Sequence, residues 1–431
     1  MSTIGIDFGT SFCSASWFNK NLNHPEVVTF PETASQKMPS IIYVSPDGDL
    51  VGRMAAEQLE AIGSLDPSEA EKIMRNTVTS IKRKMRKDGK YAGLSAQTVI
   101  SRIFSKILTE MKVSCQFGND IPDSVVLTHP VKFTQWMKDI LEGAAKEAGL
   151  RNVVFLEEPV SAALGVLRHN HLQSKGLMVY DLGAGTFDVA YVEVKDGERY
   201  NDPLESLGDA KCGGDDIDRA LYDFIEKEAK RIKGRPIYDD PLKMHYGFLN
   251  QCRSRKESLS VRFATSPVNE LKVTMMLPML KSGGAATALT CTITRVDFCN
   301  IINPTVDKTI AICKTMVSAI KTAGKPLDHV LLIGGGSKLP TLRDKLRSIV
   351  GSGVTVISSG EAETAVALGA CYYSLPGKGI SKSASVADVV KSVSDSKTAA
   401  WSSKAKYCIW CGKPLASYYK FCIYCGNKIV D

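Results

Sequence analysis

Along the first 373 residues, short apolar runs closed by Asp, Gly or Pro alternate with longer segments whose apolar side chains recur every three or four positions. The short runs predict strands over 2–8, 40–45, 124–128, 153–156, 177–182, 189–193 and 329–333. The longer segments predict helices over 96–111, 134–148, 160–168, 214–232, 305–322 and 339–350. This alternation is that of an α/β protein, with strands in sheets and helices laid on their faces.

One element of the pattern occurs twice. Ile4, Gly5, Ile6, Asp7, Phe8, Gly9, Thr10 and Ser11 are echoed by Met178, Val179, Tyr180, Asp181, Leu182, Gly183, Ala184, Gly185 and Thr186. Each copy is an apolar strand ending in Asp, then a Gly-containing turn with Thr, then a second strand. Such a turn offers backbone N–H groups to phosphate oxygens, and glycine permits the close approach. The Asp stands where a magnesium ion on those phosphates needs an oxygen partner, usually through water. One copy is a weak signal, because many hairpins close on Asp-Gly; two matched copies would grip a nucleotide from both sides. The sequence has no Gly-x4-Gly-Lys-Ser/Thr, no Gly-x-Gly-x-x-Gly after a strand, and no serine-elbow or zinc-protease motif.

Composition changes after Tyr373. Residues 376–406 include eight Ser and few large apolar side chains, too little to offset the entropy of ordering, so a flexible linker is expected. Beyond it Cys408, Cys411, Cys422 and Cys425 form two C-x2-C pairs, each followed by a glycine, Gly412 and Gly426. That spacing suits two knuckles presenting four thiolates to one tetrahedral Zn2+, and so short a segment needs such a staple to fold. Cys13, Cys115, Cys212, Cys252, Cys291, Cys299, Cys313 and Cys371 have no ligand spacing and are read as small buried hydrophobes. His169 and His171 are read as a surface pair.

The net charge of +8 is uneven: from position 375 onward there are nine Lys against three Asp. The remainder is too nearly neutral to coat a nucleic acid. In the tail, Tyr407, Trp410, Tyr418, Tyr419, Phe421 and Tyr424 interleave with lysines, as a stacking surface for nucleic acid would. A small domain also needs aromatics for its own core, which favours a protein partner over nucleic acid. Lys82, Arg83, Lys84, Arg86, Lys87 and Lys90 are read as a solvated helix face. No apolar run reaches the length of a membrane span and the N-terminal segment has no basic leader, so a cytoplasmic, membrane-free protein is expected.

Over roughly 1–373, these residues resemble the ATPase domain of the 70-kDa heat-shock chaperones (DnaK type), within the actin-like superfamily. Asp7, Gly9, Thr10 and Ser11 are similar to its first phosphate loop, and Asp181, Gly183, Gly185, Thr186 and Asp188 to its second. Asn76, Thr77, Val78, Lys82 and Arg83 resemble the segment whose lysine reaches the γ-phosphate. Glu157, Glu158 and Pro159 resemble its connecting segment, Gly213, Gly214, Asp215 and Asp216 its ribose and phosphate stretch, Lys256 and Ser260 its adenosine contacts, and Gly334, Gly335 and Gly336 its late adenosine loop. Ala184 replaces the middle glycine of the second loop, Glu257 stands where an arginine is common, and Arg253 where a glutamate is common. The peptide-binding region that follows the ATPase domain in those chaperones finds no counterpart.

The resemblance implies a two-lobed actin-like fold that binds ATP or ADP with Mg2+ and hydrolyses ATP. Lys82 would orient water and stabilise charge on the γ-oxygens; Asp7, Asp181 and Glu158 would hold the magnesium shell; Thr10 and Thr186 would donate to phosphate; Asp188 would accept a proton or orient the water. The expected organisation is an ATPase domain over 1–374, a linker over 375–406 and a zinc ribbon over 407–431 that recruits a partner. A nucleotide-binding scaffold with little turnover, a filament former and a small-molecule kinase stay open, since one fold hosts all of them.

Overall fold

The computed structural model describes residues 3–62, 65–115, 124–131, 133–169, 174–195, 198–201, 204–209, 211–239, 246–280, 282, 284–358 and 363–373, with the short pairs 406–407 and 414–415. The expected linker and the four tail cysteines lie outside the described residues.

The first half contains strands β1 (Thr3–Phe8), β2 (Phe12–Asn19), β3 (His24–Val27), β4 (Met38–Pro39), β5 (Ile41–Tyr43) and β6 (Leu50–Val51). Helices α1 (Arg53–Ala61) and α2 (Pro67–Asn76), strand β7 (Thr77–Thr79), the single turn α3 (Ile81–Lys84), the small pair β8 (Lys90–Tyr91) and β9 (Leu94–Ser95), and α4 (Ala96–Ser114) follow. It closes with β10 (Ser124–His129), α5 (Gln135–Glu147), β11 (Asn152–Glu157) and α6 (Glu158–His169). The second half contains β12 (Gly176–Leu182), β13 (Phe187–Lys195), β14 (Glu198–Asn201), β15 (Leu207–Asp209), α7 (Gly214–Lys233), α8 (Tyr246–Thr265), and the hairpin β16 (Glu270–Leu277) with β17 (Thr287–Thr294). After these come α9 (Arg295–Thr322), β18 (His329–Ile333), a 3-10 turn at Gly335–Lys338, α10 (Leu342–Val350), β19 (Thr355–Ser358) and α11 (Ala365–Tyr373).

The duplication seen in the sequence is a duplication of topology. One sheet runs β11-β10-β1-β2-β3 and the other β19-β18-β12-β13-β14. In each, the central hairpin is antiparallel (β1 with β2, β12 with β13), and the strands added on the other side are parallel. The register places Asp7 opposite Ser14 and Asp181 opposite Asp188, so both aspartates sit at the turn end of a central strand.

The helices tie the halves together. α11 packs on β1 and β2 of the first sheet although it follows the second, and α6 packs on β12 and β13 of the second although it follows the first. These two helices cross on small residues. A Cβ at Gly369 would collide with the carbonyl of Ser161, and one at Gly165 with that of Ala365. The Ser161 hydroxyl donates to the Val366 carbonyl at 2.6 Å, and Ser16 donates from β2 to the Ala367 carbonyl at 2.5 Å. Separate apolar cores fill each half. Phe8 meets Phe104 edge-on at 5.5 Å in the first; in the second Tyr180 meets Phe187 at 4.8 Å and its hydroxyl bonds Thr309 at 2.8 Å.

Strand and helix expectations survive with small shifts, and β18 matches its predicted range. The largest change is α9, which begins at Arg295 rather than 305 and carries Pro304 inside it. Proline removes a helical hydrogen bond at a cost of about 3 kcal/mol. The capping box of Thr294 and Asp297 and the burial of Phe298, Ile301 and Ile302 before the proline, with Val306 and Ile310 after it, offset that cost. Seven of the eight unspaced cysteines are buried as expected, whereas Cys299 is half-buried. His169 is exposed at the end of α6, and His171 lies outside the described residues. Among the described residues no helix is long and apolar enough to cross a membrane.

The crossing yields a stability test. Gly369→Ala should destabilise the protein by about 3 kcal/mol in urea unfolding, because backbone on both helices must part to admit one methyl group. Gly353→Ala, whose Cβ meets nothing within 4 Å, should stay within about 0.5 kcal/mol of the parent.

Candidate functional site

The two aspartate-tipped hairpins face each other across one buried lysine. Lys82 lies on α3, and its approach is set by Ser80, which takes the left-handed conformation (φ 54°) that side chains other than glycine seldom adopt. The Ser80 carbonyl accepts from the N–H groups of Arg83 (3.1 Å) and Lys84 (3.0 Å), closing the turn. Lys82 is thereby swung inward, only 8% exposed, into an ion pair with Glu158 at the start of α6.

The charge around Lys82 is out of balance. Burial alone would drive its ammonium toward neutrality, but Glu158, Asp7 and Asp181 outweigh burial and hold it above its ordinary value. Asp7 is pushed up to about 7, by burial first and then by Glu158, against the pull of Lys82 and of a 3.1 Å hydrogen bond from the Thr128 hydroxyl. Asp181 rises well above the usual carboxylate range through burial, with Glu158, Asp188 and Asp7 adding to it. The structure therefore brings Asp7, Lys82, Glu158, Asp181 and Asp188 into one electrostatic unit, with four half-buried carboxylates around one buried cation.

That surplus of hard oxygen donors fits a divalent cation such as Mg2+. Among the described residues no group of three or more His, Cys, Asp or Glu side chains could by itself hold a metal ion. An ion here would complete its shell with water and phosphate.

The turns are built for close approach. In the first, a Cβ on Gly9 would collide with the Phe12 carbonyl, and Ser40 braces the loop by donating from its hydroxyl to the Gly9 carbonyl and from its N–H to the Ser11 carbonyl, both at 2.9 Å. Thr10 and Ser11 are half-buried at its rim. In the second, the Gly183 N–H donates to the Thr186 carbonyl at 3.0 Å. Ala184, in place of glycine, fits there: its carbonyl accepts the Asp215 N–H at 2.6 Å.

Gly213 and Gly214 open α7 directly against this loop. The Gly214 N–H donates to the Gly183 carbonyl at 2.9 Å, and a Cβ on Gly213 would lie 2.5 Å from the Ala184 carbonyl oxygen. Lys256 donates to the Gly214 carbonyl at 2.9 Å and pairs with Asp218 at 2.7 Å. Arg253 pairs with Asp215 at 2.8 Å and with Asp218 at 3.4 Å. The Ser260 hydroxyl is buried and turned onto the Lys256 carbonyl at 2.8 Å. On the far side Gly334 (φ 74°) presses against Asp181, where a Cβ would come within 2.8 Å of Oδ1; Gly336 lies against Leu182, and Gly335 faces open space.

The sequence reading corrects in one place and was incomplete in others. The basic run is not a helix face: α3 is one turn long, Lys82 is buried, and Arg83, Lys84, Arg86 and Lys90 line a cleft between the halves. Thr128 and Ser40 were missed. The strand pairing of β1 with β10 is what brings Thr128 beside Asp7, and only the fold reveals it. Glu363 was also missed; it takes Lys37 from the first half and Lys338 from the second, the latter at 2.6 Å.

A family model described as Hsp70 protein matches residues 3–394.

The raised carboxyls fix a pH dependence for the ligand-free protein. A carboxyl whose folded pKa lies above its unfolded value costs no stability below the unfolded value, and an increasing amount as pH rises toward the folded one. Stability without nucleotide or magnesium should therefore fall between pH 4 and 7. Asp7→Asn should flatten that slope and raise the melting temperature at pH 7.5 in calorimetry; an unchanged slope would contradict the assignment.

Proposed function

The chain belongs to the Hsp70 family, and from that premise we propose that it is an ATP-binding and ATP-hydrolysing conformational switch. Membership supports a chaperone ATPase-type, nucleotide-binding function on an actin-like fold, with Mg2+ as companion to the nucleotide. The observation that carries the reading to these residues is the buried Lys82, drawn between carboxylates from both halves at the tips of two matched hairpins.

The Gly9–Ser11 and 183–186 turns would receive the phosphate oxygens, with Thr10 and Thr186 donating hydroxyls. Asp7, Asp181 and Glu158 would hold the ion's water shell, and a bound Mg2+ would neutralise phosphate charge. Lys82, released from Glu158, would reach the γ-oxygens and orient the attacking water, while Asp188 would take its proton or fix its direction. Gly213, Gly214 and Asp215 would flank ribose and phosphates, with Lys256, Ser260 and the 334–336 turn around adenosine. Positioning and charge neutralisation supply the acceleration in such a reaction. Loss of the γ-phosphate would remove the charge that draws the halves together, which is how turnover becomes motion.

In the same proposal 1–374 is the ATPase domain, 375–406 a linker and 407–431 a zinc ribbon that recruits a protein partner. Among the described tail residues, Lys406–Tyr407 pair antiparallel with Pro414–Leu415.

Purified protein should release phosphate from ATP, and Lys82→Ala should lower the single-turnover rate at least a hundredfold while calorimetry still records ADP binding. Turnover that survives Lys82→Ala would overturn the assignment. For the tail, metal analysis should find one zinc per chain, lost on replacing Cys408 and Cys422 by Ser; a chain without zinc would remove the ribbon.

A further inference from the structure

Apart from Asp215, the residues lining the cation-rich cleft beside the phosphate loops have no part in the proposed hydrolysis. Its volume is about 770 Å³, within the range of small-molecule sites. Arg83, Lys84, Arg86 and Lys90 line it from the first half, and Arg219 and Arg253 from the second. Only Asp215 and Asp218 oppose them on the lining.

Those two carboxylates are already engaged. Asp215 holds Arg253 at 2.8 Å, and Asp218 holds Lys256 at 2.7 Å with Arg253 at 3.4 Å. Arg219 leans on Asp216 at 3.5 Å. Among the described residues no carboxylate lies within ion-pair distance of Arg83, Lys84, Arg86 or Lys90; Lys84 reaches only the Thr79 hydroxyl, at 3.2 Å. Desolvation first, with Arg83 adding to it, lowers Lys84 below its ordinary value against the pull of Asp215.

The wall that presents them is fastened. The Tyr91 hydroxyl donates to the Lys84 carbonyl at 2.7 Å and accepts the Arg86 N–H at 2.8 Å, while Lys90 is held in register opposite Ser95. The cleft also adjoins the triphosphate site: a Cβ on Gly185 of the second phosphate loop would lie 2.9 Å from Arg83 Nη1. Forked guanidiniums and ammoniums converging from two sides match a phosphate group, which accepts bidentate, charge-assisted hydrogen bonds.

We propose that this cleft binds a second phosphate group, outside the 5′-phosphate chain of the nucleotide held by the two loops. The proposal rests on the nucleotide reading for the neighbouring site. The phosphate has two possible sources, a further phosphate on the ribose of the bound nucleotide or a free polyphosphate.

Calorimetry on the full chain separates them. With ADP saturating and magnesium in excess at about 0.15 M salt, where exposed charges are screened beyond roughly 8 Å, inorganic tripolyphosphate is titrated; in a second arm ADP is compared with 3′-phosphorylated ADP. The result expected is tripolyphosphate binding to the ADP-loaded protein, or at least tenfold tighter binding of the 3′-phosphorylated nucleotide. In either case Arg86→Gln combined with Lys90→Gln should remove the effect and leave ADP affinity within twofold. The first result alone assigns the cleft to a free anion, and the second to a ribose phosphate. Complete displacement of tripolyphosphate by ADP, or equal behaviour of parent and double variant in both arms, would overturn the proposal. The ADP heats read the nucleotide assignment separately, so loss of one conclusion is not mistaken for loss of the other.

Discussion

One buried ammonium organises this molecule. Lys82 reaches inward from the first half, and the carboxylates of Asp7, Glu158 and Asp181 converge on it from strands and a helix in both halves. Buried like charges repel strongly because little water screens them, and one lysine cannot compensate the group. Burial first, and the imbalance after it, raise the carboxyls at Asp7 and Asp181. A free nucleotide would add further negative charge to a pocket that already has too much. On the proposed reading the site would suit phosphates and a divalent cation arriving together, each cancelling charge that the other would leave exposed.

Duplication makes the convergence possible. Matched topologies place Asp7 and Asp181 at equivalent strand ends, but the copies are not equal partners. Opposite Asp7 stands the buried hydroxyl of Ser14, while opposite Asp181 stands a second carboxylate, Asp188. The second hairpin thus carries a second carboxylate, whereas in the first the Thr128 hydroxyl is bonded to Asp7. Behind them α6 and α11 cross on glycine and carbonyl contacts that block sliding of one helix along the other.

The strands that carry the aspartates were legible because short apolar runs ending in Asp are local events, read without knowledge of the partner strand. Helix α9 was half legible: Pro304 reads as a start, and only the core packing of Phe298, Ile301 and Ile302 keeps the chain helical before it. The alternation of burial along Glu270–Leu277 belongs to a hairpin that the reading passed over. The two matched Asp-Gly turns were legible through repetition. Their companions were not, because Thr128 and Glu363 acquire their roles only from pairings across long stretches of chain. The basic run misled for a related reason: a single left-handed residue, Ser80, divides it into one buried lysine and a wall of cleft cations.

The same contacts rank what the pocket can discriminate. At the phosphate end the turns are closed by backbone hydrogen bonds and glycine contacts that tolerate little change in ligand shape. At the base end the polar side chains are committed elsewhere: Arg253 to Asp215 and Asp218, Lys338 to Glu363, Ser260 to its own helix. Glu257 is exposed, and Gly335 opens onto empty space. Discrimination needs polar groups that are left unpaired by the wrong ligand. On the proposed nucleotide reading, phosphate number and the accompanying cation would therefore dominate recognition, and base identity would contribute comparatively little.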